Sequence, residues 1–376
     1  MNLLHENTPF LKGADLSSLL EVESCGGKFY DGTAAQAEDA LTILARSGMN
    51  LVRLRLWNDP YDENGVAYGA GTNDLVRTMQ LARRCKALEL PWLLDFHYSD
   101  FWADPGKQTM PKAWRGLDLD ALAQVVYDFT LQTLQTLKHA DLLPAMIAPG
   151  NEVTNGLLWP VGKAPDFSAI ARLISAGLRA IREVCPDVPT MIHLDNGGNN
   201  ALYRGWFDAY FAGGGADFDC IGLSYYPFWH GGLELLRENM NDIALRYGKP
   251  LIVAETSIAF TLEECNAHEG LEQTEKRGLA ANEKTAAAVP YPMTPQGQCD
   301  FLRDLAAVIR QTPNGLGRGL IWWEPAWLPV PNSHWATPKA LEYINERGPG
   351  GNEWANQAFF DYAGRALPVL ETLRAL

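Results

Sequence analysis

Eight short apolar segments recur along the chain, and amphipathic stretches separate them. Several of the apolar segments are nearly continuous runs, as in residues 251–254 and 320–323, which is typical of parallel strands covered on both faces. Eight strand-then-helix units in series predict an α/β fold, a (β/α)8 TIM barrel. The predicted strands span residues 11–16, 50–57, 91–99, 144–152, 190–196, 218–227, 250–257 and 319–325.

Segments with helical periodicity follow the predicted strands. Two α/β folds have this alternation, the barrel and a doubly wound open sheet. Thr33 is predicted to cap an early helix that has Gln36 in the capping-box position and ends at Gly48. A doubly wound open sheet would normally carry a glycine-rich phosphate turn after its first strand, and residues 15–21 contain none. The later predicted helices span residues 74–88, 119–137, 167–184, 202–211, 233–247, 299–309 and 356–376.

The additional length falls in three loops, at residues 100–118, 258–298 and 326–355. These loops follow strands three, seven and eight, at the carboxyl end of the predicted barrel, where barrel enzymes place their active sites. The chain carries no linker, repeat or low-complexity segment. We therefore predict a single catalytic domain over residues 1–376.

The net charge and the first residues of the chain bear on two questions: which partners the protein can bind, and in which compartment it is found. The net charge is −14, and no basic patch is visible, so nucleic acid is excluded as a partner. No apolar run reaches the length of a membrane-spanning helix. The start at Met1 lacks the features of a secretory signal. We therefore expect a cytoplasmic protein if Met1 is the natural start, and a secreted one if a signal peptide has been removed.

The six cysteines do not form a recognisable metal or redox motif. No pair is spaced as C-x-x-C, which excludes the common zinc and dithiol patterns. Cys265 and Cys299 flank one inserted segment and could pair across it, but we expect both to remain thiols.

Two glutamates follow apolar strands at the same predicted end of the barrel. Glu152 comes at the end of strand four, and Glu255 at the end of strand seven. Two facing carboxyl groups, one protonated and one ionised, are what glycoside hydrolysis requires. Each could instead be a structural anion paired with Arg53 or Arg55, but the occurrence of both at strand ends favours catalysis.

Aromatic and polar side chains are concentrated near the same strand ends. The chain has 12 Trp, most of them in or beside the loops at this end. Flat aromatic rings stack on sugar C–H faces, while sugar hydroxyls need polar partners. Trp322 and Trp323 are adjacent on a strand, so one is predicted to face the barrel mouth and the other the helices.

Two His–Asp pairs also end strands, Asp95 with His97 and His193 with Asp195. A metal site needs three or four converging ligands, and no H-E-x-x-H spacing occurs, so we interpret both pairs as hydrogen-bonding groups for substrate. Serine hydrolase chemistry is disfavoured because no G-x-S-x-G elbow is present. A Schiff-base aldolase is disfavoured because Lys12, at the very start of the first strand, is the only lysine on the predicted strands.

Several sequence runs then resemble one known family. They are Asp95–Pro105 (DFHYSDFWADP), residues 50–58 (NLVRLRLWN), residues 108–114 (QTMPKAW), residues 150–152 (GNE), residues 254–256 (AET) and residues 322–327 (WWEPAW). In this order they resemble glycoside hydrolase family 53, the endo-β-1,4-galactanases, over nearly the whole chain.

The resemblance implies roles for individual residues. Glu152 would be the general acid/base and Glu255 the nucleophile, held ionised by Arg55. Tyr226, or the adjacent Tyr225, would position Glu255. The resemblance further implies that Asn151 binds the 2-hydroxyl of the reacting sugar, that Trp323 forms the floor beneath it, and that the groove is lined by Trp57, His97, Asp100, Trp114 and Asp195.

The chain departs from the family pattern after strand seven. Bacterial members often hold calcium there through a D-x-D-x-H-x-N run, whose matching positions here are Glu264, Asn266, His268 and Gly270. One carboxylate is lost and glycine offers no side chain, so calcium would be held more weakly. The hydrolysis itself is expected to require no cofactor.

The resulting prediction is a retaining hydrolase of internal β-1,4-galactosidic bonds in galactan or type I arabinogalactan, acting through a glycosyl-enzyme intermediate. A missing signal peptide would favour short galactooligosaccharides as substrate. Two alternatives stay open: a related β-glycanase acting on mannan, xylan or β-glucan, and a non-catalytic carbohydrate-binding barrel.

Overall fold

Eight parallel strands form the centre of the molecule, as a computed structural model shows for residues 3–5, 7–265 and 278–376. The predicted strands are all present, although each is shorter than predicted. Their bounds are β1 Leu11–Asp15, β2 Leu51–Leu56, β3 Trp92–Phe96, β4 Met146–Ala148, β5 Met191–Leu194, β6 Cys220–Ser224, β7 Leu251–Thr256 and β8 Gly317–Trp322.

The strands pair in the order β4-β3-β2-β1-β8-β7-β6-β5, and every pairing is parallel. A parallel bridge between Ile147 and Thr190 links β4 to the residue before β5. This bridge brings the two ends of the sheet together, which confirms the predicted barrel.

Helices surround the sheet and are started by acidic or amide side chains. Asp74, Asp118 and Asp166 each accept a hydrogen bond from a backbone N–H three residues further on, which satisfies a free donor of the first turn. The helices are α1 Leu19–Ser24, α2 Ala40–Arg46, α3 Leu75–Ala87, α4 Leu119–His139, α5 Phe167–Val184, α6 Asn200–Ala212, α7 Leu233–Tyr247, α8 Glu283–Ala286, α9 Pro295–Arg310, α10 Pro338–Tyr343 and α11 Val369–Ala375.

Two predicted helices differ from the structure. Thr33 does not cap a helix: Phe29 and Glu38 form an antiparallel bridge, and α2 begins only after Asp39, whose side chain accepts from the Thr42 N–H. The terminal helix does not start at Asn356. Phe360 bridges Ala366 after a short 3-10 turn, and the helix forms from Val369 onward. In both places local pairing of extended backbone takes precedence over helical periodicity.

The barrel interior changes character along its axis. Its amino-terminal half is apolar, because alternate residues of the strands, such as Leu51, Leu93 and Ile252, pack together there. Further along the same inward-facing positions, Arg53, Asp95 and other charged or polar residues take over, and they too are buried. The apolar layer closes one end of the barrel, and the polar layer lies beneath the opposite mouth.

Three further predictions concern the two cysteines, the adjacent tryptophans and membrane-spanning helices. Cys265 and Cys299 are both buried thiols. Trp322 is fully buried and packs on Phe301 and Phe359, whereas Trp323 faces the barrel mouth, as their adjacency predicted. Within the described ranges, no helix has the length and apolar character needed to cross a membrane.

Candidate active site

Glu152 and Glu255 lie next to each other at the mouth of the barrel. One carboxyl oxygen of Glu152 lies within 4.8 Å of one carboxyl oxygen of Glu255. Both side chains are buried apart from a small face on the cleft. The two strand ends that the sequence singled out therefore deliver their carboxyl groups to one place.

A local irregularity in β7 turns Glu255 toward the mouth. Ile252 and Ala254 belong to the barrel interior, so strict alternation would point residue 255 outward. The pairing of β7 shifts by one residue against both neighbours, so that Ser224 pairs with Glu255. This bulge places Ala254 and Glu255 on the same side.

Glu152 is oriented by its own backbone conformation, not by a bulge. Strand β4 ends at Ala148, and Gly150 follows with a positive φ of 123°. Glu152 itself adopts the left-handed conformation, with φ 45° and ψ 51°. Such a conformation is uncommon for a residue with a side chain, and it turns the carboxyl group into the cleft.

The Glu255 carboxyl group is held on both oxygens. Arg53 Nη1 lies 2.8 Å from Oε1, and the Tyr226 hydroxyl donates to Oε2 at 2.9 Å. Burial, together with the negative charges of Asp15 and Asp95, raises the pKa of Glu255, and the Arg53 charge and the Tyr226 hydrogen bond limit that rise, so that the pKa is about 7. The two contacts therefore favour the ionised form of this carboxyl group.

Glu152 has a different environment. Its Oε1 lies 2.6 Å from Ser224 Oγ. Burial, followed by the negative charges of Glu255 and Asp195, raises the pKa of Glu152 well above its ordinary value. The two neighbouring carboxyl groups therefore differ in protonation, because Glu152 is held more strongly in its protonated form than Glu255.

Beneath the two glutamates lies a buried network of ion pairs centred on Arg53. Besides Glu255, Arg53 pairs with Asp15 at 2.9 Å and with Asp95 at 2.8 Å. Burial alone would raise the pKa of Asp95, but Arg53 and His97 outweigh it and lower the pKa to about 2. Since each charge has a hydrogen-bonded partner, the network can remain ionised out of water.

Arg55 does not hold Glu255, which corrects the prediction. Its Nη2 pairs with Glu324 at 2.6 Å, and its Nη1 pairs with Asp15 at 3.1 Å. Its guanidinium also lies 4.4 Å from the ring centroid of Trp102. Arg53 and Arg55 point to the same side of β2, but they lie one layer apart in the barrel, and only Arg53 is at the level of Glu255.

A cleft of about 310 Å³ opens above the two glutamates. Its walls are rich in tryptophan: Trp102 stacks on Trp335 with an interplanar angle of 12°, and Trp323 packs on Trp354 at 4.5 Å. The cleft is lined by His97, Trp102, Ala103, Asp104, Pro105, Lys107, Asn151, Glu152, Asp195, Tyr226, Trp229, His230, Glu255, Trp323, Trp335, Glu353 and Trp354.

The predicted site residues separate into two groups. His97, Asn151, Asp195, Tyr226 and Trp323 all line the cleft beside the glutamates. The structure therefore brings these five together with the carboxyl pair. It also distinguishes Tyr226 from its neighbour, whose hydroxyl donates to the Gly231 carbonyl instead.

Three further predicted groove residues lie behind the cleft wall. Trp57 is fully buried, with its ring against Phe101 and Trp102. Asp100 is equally buried, and its carboxylate binds the Lys112 ammonium and the backbone N–H groups of residues 59 and 112. Trp114 packs on Tyr98 and Phe129. None of these three side chains lines the cleft, which corrects their prediction as groove residues.

The calcium prediction falls largely outside the described residues. Asn266, His268 and Gly270 lie in the undescribed segment, and Glu264 is the only one of the four matching positions within the described part. At the cleft itself, oxygens of Glu152 and Glu255 and a nitrogen of His193 lie within 4.8 Å of one another. Both His193 ring nitrogens already have hydrogen-bond partners, however, so this arrangement is a hydrogen-bond network.

Sequence reasoning missed several residues that matter in the site. The sequence patterns suggest only a structural ion pair for Arg53 and no role for Ser224 or Glu324. Glu324 directly follows Trp323 at the end of β8, which is the same strand-end signal that identified Glu152 and Glu255. Ser224, the last residue of β6, could have been found by its place two residues before Tyr226, because alternate residues of an extended segment share a face.

Known proteins resemble this chain along nearly its whole length. The sequence matches the glycosyl hydrolase family 53 model over residues 11–373. It is 39% identical over 374 residues to an uncharacterized protein of Niallia circulans, covering 97% of this chain and 94% of that protein. It is 36% identical over 386 residues to an endo-beta-1,4-galactanase of Bacillus subtilis (strain 168), covering 98% of this chain and 86% of that protein.

A solved structure gives the same result. The Ignisphaera aggregans GH53 catalytic domain superposes with a TM-score of 0.88 at 37% identity, covering 97% of this chain and 95% of that domain. Sequence and structure therefore agree with the resemblance noted from the motifs. The chain belongs to glycosyl hydrolase family 53.

Proposed function

We propose that this protein is a retaining endo-hydrolase of β-1,4-galactosidic bonds in galactan or type I arabinogalactan. The observation that carries the proposal is that Glu152 and Glu255 lie side by side at the cleft, with one carboxyl oxygen of each within 4.8 Å of the other. Retaining enzymes place their carboxyl groups about 5–5.5 Å apart, whereas inverting enzymes need about 6.5–9.5 Å to admit a water molecule. The choice of polymer is supported by the Bacillus subtilis relative, which is an endo-beta-1,4-galactanase.

In the first step, the ionised Glu255 carboxylate attacks the anomeric carbon, and Glu152 transfers its proton to the glycosidic oxygen. The bond between that carbon and oxygen breaks, the shortened chain leaves as an alcohol, and a glycosyl ester forms on Glu255. Arg53 and Tyr226 support this step because they stabilise the carboxylate before it attacks.

In the second step, Glu152, now ionised, removes a proton from water. The resulting hydroxide attacks the same carbon and releases Glu255. Two displacements on opposite faces restore the original configuration at that carbon. Both steps use only the two carboxyl groups and water, so we expect the reaction to need no cofactor.

The remaining cleft residues fit the recognition of a sugar. Trp323 offers a flat ring for stacking beneath the reacting unit. Asn151 donates one amide hydrogen to the Ala103 carbonyl, which leaves a second hydrogen for the sugar 2-hydroxyl. Asp195 also lines the cleft, and its carboxylate would accept a hydrogen bond from a substrate hydroxyl. His97 completes this polar wall.

The test is release of reducing sugar from linear β-1,4-galactan, compared with xylan, mannan and a β-glucan, with product sizes recorded. We expect release from galactan as short oligosaccharides. Release from another polymer alone would overturn the specificity. An absence of turnover on every polymer and on galactooligosaccharides would overturn the enzyme assignment in favour of a binding barrel.

Stereochemistry and variants test the mechanism. Proton NMR of the first product should show the β-anomer, and the α-anomer would refute retention. Glu255→Gln and Glu152→Gln should each lower kcat by several orders of magnitude. Glu21→Gln is a matched control, because Glu21 is also buried but binds the backbone N–H of Gly71 away from the cleft.

A further inference from the structure

Four buried side chains form a linear chain of hydrogen bonds, here called the file, which runs from Glu152 through Ser224 and His193 to Asn151. Glu152 Oε1 lies 2.6 Å from Ser224 Oγ, and Ser224 Oγ lies 2.9 Å from His193 Nε2. His193 Nδ1 lies 2.9 Å from Asn151 Oδ1. All four residues are buried. Each of the three contacts holds one hydrogen, so the direction of one contact dictates the direction of the next.

The direction is fixed at Asn151. Its Nδ2 donates to the Ala103 carbonyl at 2.8 Å, and its Oδ1 accepts from Arg53 Nη2 at 2.7 Å. These two contacts orient the amide, so the atom facing His193 is the oxygen, which can only accept. His193 must therefore carry a hydrogen on Nδ1.

His193 carries no second hydrogen. Burial first, and then the positive charge of Arg53, lower its pKa to about 3, and the opposing charge of Asp95 does not compensate. His97 also faces it and is itself engaged with Asp95. The neutral ring thus has a lone pair on Nε2, which accepts the hydrogen of the Ser224 hydroxyl.

The consequence reaches Glu152. The Ser224 hydroxyl has one hydrogen, and that hydrogen is directed at His193. At the 2.6 Å contact, Ser224 Oγ can then only accept, and the hydrogen between the two oxygens must belong to the Glu152 carboxyl group.

We propose that His193 and Ser224 are positioning residues that keep the proton on Glu152, because the Nδ1–H tautomer of His193 draws the Ser224 hydroxyl hydrogen away from the carboxyl group. The proposal rests on the proposed function, in which Glu152 is the general acid. Once Glu152 has given its proton to the glycosidic oxygen, one hydroxyl hydrogen faces two acceptors, the carboxylate and Nε2. The proton taken from water in the second step restores the file.

Other charged and titratable groups also face Glu152. They are Glu255 on β7, Asp195 after β5, Asp104 in the loop after β3, Tyr226 after β6 and Tyr203 on α6. The three acids raise the pKa of Glu152, whereas a Ser224 hydroxyl that donated to the ionised carboxylate would lower it. A test must therefore separate the effect of the file from that of the surrounding charge.

The first experiment reads the tautomer directly. Protein labelled with nitrogen-15 in histidine is examined by long-range proton–nitrogen NMR, with His193 assigned by the signal that disappears in His193→Phe. We expect the neutral Nδ1–H form over the working pH range. The Nε2–H form, or a protonated ring, would overturn the proposal. This readout needs no turnover, so it stays valid if the proposed activity fails.

The second experiment uses the alkaline limb of kcat/KM, which reports protonated Glu152. His193→Phe keeps a ring of similar size but frees the Ser224 hydrogen to bind the carboxylate, so the limb should move to lower pH by about one unit. If His193 instead donated to Ser224, the limb would move upward. No movement, or an upward movement, refutes the proposal.

A double-mutant cycle isolates the file. In a Ser224→Ala background, His193→Phe should leave the limb where the single Ser224→Ala variant has it, since the connection is already cut. A full shift in that background would refute transmission through Ser224. Ser175→Ala is the control, because Ser175 is a buried serine on α5 that accepts from the Ala216 N–H and should leave the profile unchanged. If His193→Phe does not fold, His193→Asn supplies the assignment of the His193 signal, and the tautomer measured in the natural protein decides.

Discussion

Removal of one hydroxyl group from Tyr226 tests how Glu255 is kept ionised. In Tyr226→Phe, the O–H that donates to Glu255 Oε2 at 2.9 Å is lost, while the ring keeps its packing against Trp229 and Trp354. The Arg53 contact to Oε1 remains. The substitution is therefore a change in one hydrogen bond to a buried carboxylate.

The size of the effect follows from that contact. A hydrogen bond to a charged group contributes about 1.5–3 kcal/mol, which corresponds to about 1–2 pKa units. Because Tyr226 donates to the ionised form, it lowers the pKa of Glu255, and its loss raises that pKa. The nucleophile must be ionised to attack, so the acid limb of kcat/KM should move to higher pH by about 1–2 units. Below the natural limb the rate should fall roughly 10–100-fold, and on the plateau much less.

The assay is kcat/KM on a galactooligosaccharide from about pH 4 to about pH 9, with folding checked by thermal unfolding. Tyr225→Phe is the matched control, because the adjacent hydroxyl donates to the Gly231 carbonyl and does not contact Glu255. An acid limb that stays in place, or moves to lower pH, in Tyr226→Phe would refute the reasoning. An equal shift in both variants would show that the effect is not specific to the contact with Glu255.

Three further substitutions test, in turn, a ring that stacks on the sugar, a ring behind the cleft wall and a charged group near Glu152. Trp323→Ala should raise KM by about tenfold or more in steady-state kinetics, because the stacking ring of the cleft is lost. Trp114→Ala should lower the free energy of unfolding by about 3–5 kcal/mol in denaturant titrations, with KM unchanged in the folded enzyme, and a raised KM would contradict its place behind the wall. Asp195→Asn removes a negative charge that raises the pKa of Glu152, so the alkaline limb should move to lower pH in the kcat/KM profile. An unmoved limb there would show that this charge does not reach Glu152.

The barrel was predictable because its determinants are local. Short apolar segments separated by amphipathic helices occur eight times, and each segment contains a strand. The bounds were less predictable at the carboxyl ends. Residues 144–152 read as one strand, yet pairing in the structure stops at Ala148, because Pro149 has no N–H to donate and Gly150 adopts a positive φ. The polar residues that identify the site also lengthen the apparent strand.

The orientation of Glu255 could not be obtained from alternation. Counting from Ile252 and Ala254, which face the interior, alternation assigns residue 255 to the outer face together with Val253. The bulge in β7 reverses this assignment, and it arises from pairing with both neighbouring strands. A register shift of this kind depends on contacts distant in sequence, so the strand's own residues do not reveal it.

Arg53 and Arg55 differ in their level along the barrel axis, and alternation along the strand does not reveal this difference. Both residues point inward from β2, so their spacing cannot decide which one meets Glu255. In the folded barrel, Arg53 Nη1 contacts Glu255, while Arg53 Nη2 contacts Asn151 Oδ1, which begins the file through His193 and Ser224 to Glu152. One buried guanidinium therefore favours the charge on one carboxyl group directly and orients the amide that favours the proton on the other. Because both effects start from the same rigid, planar group, the two carboxyl groups can hold opposite protonation states although one oxygen of each lies within 4.8 Å of the other.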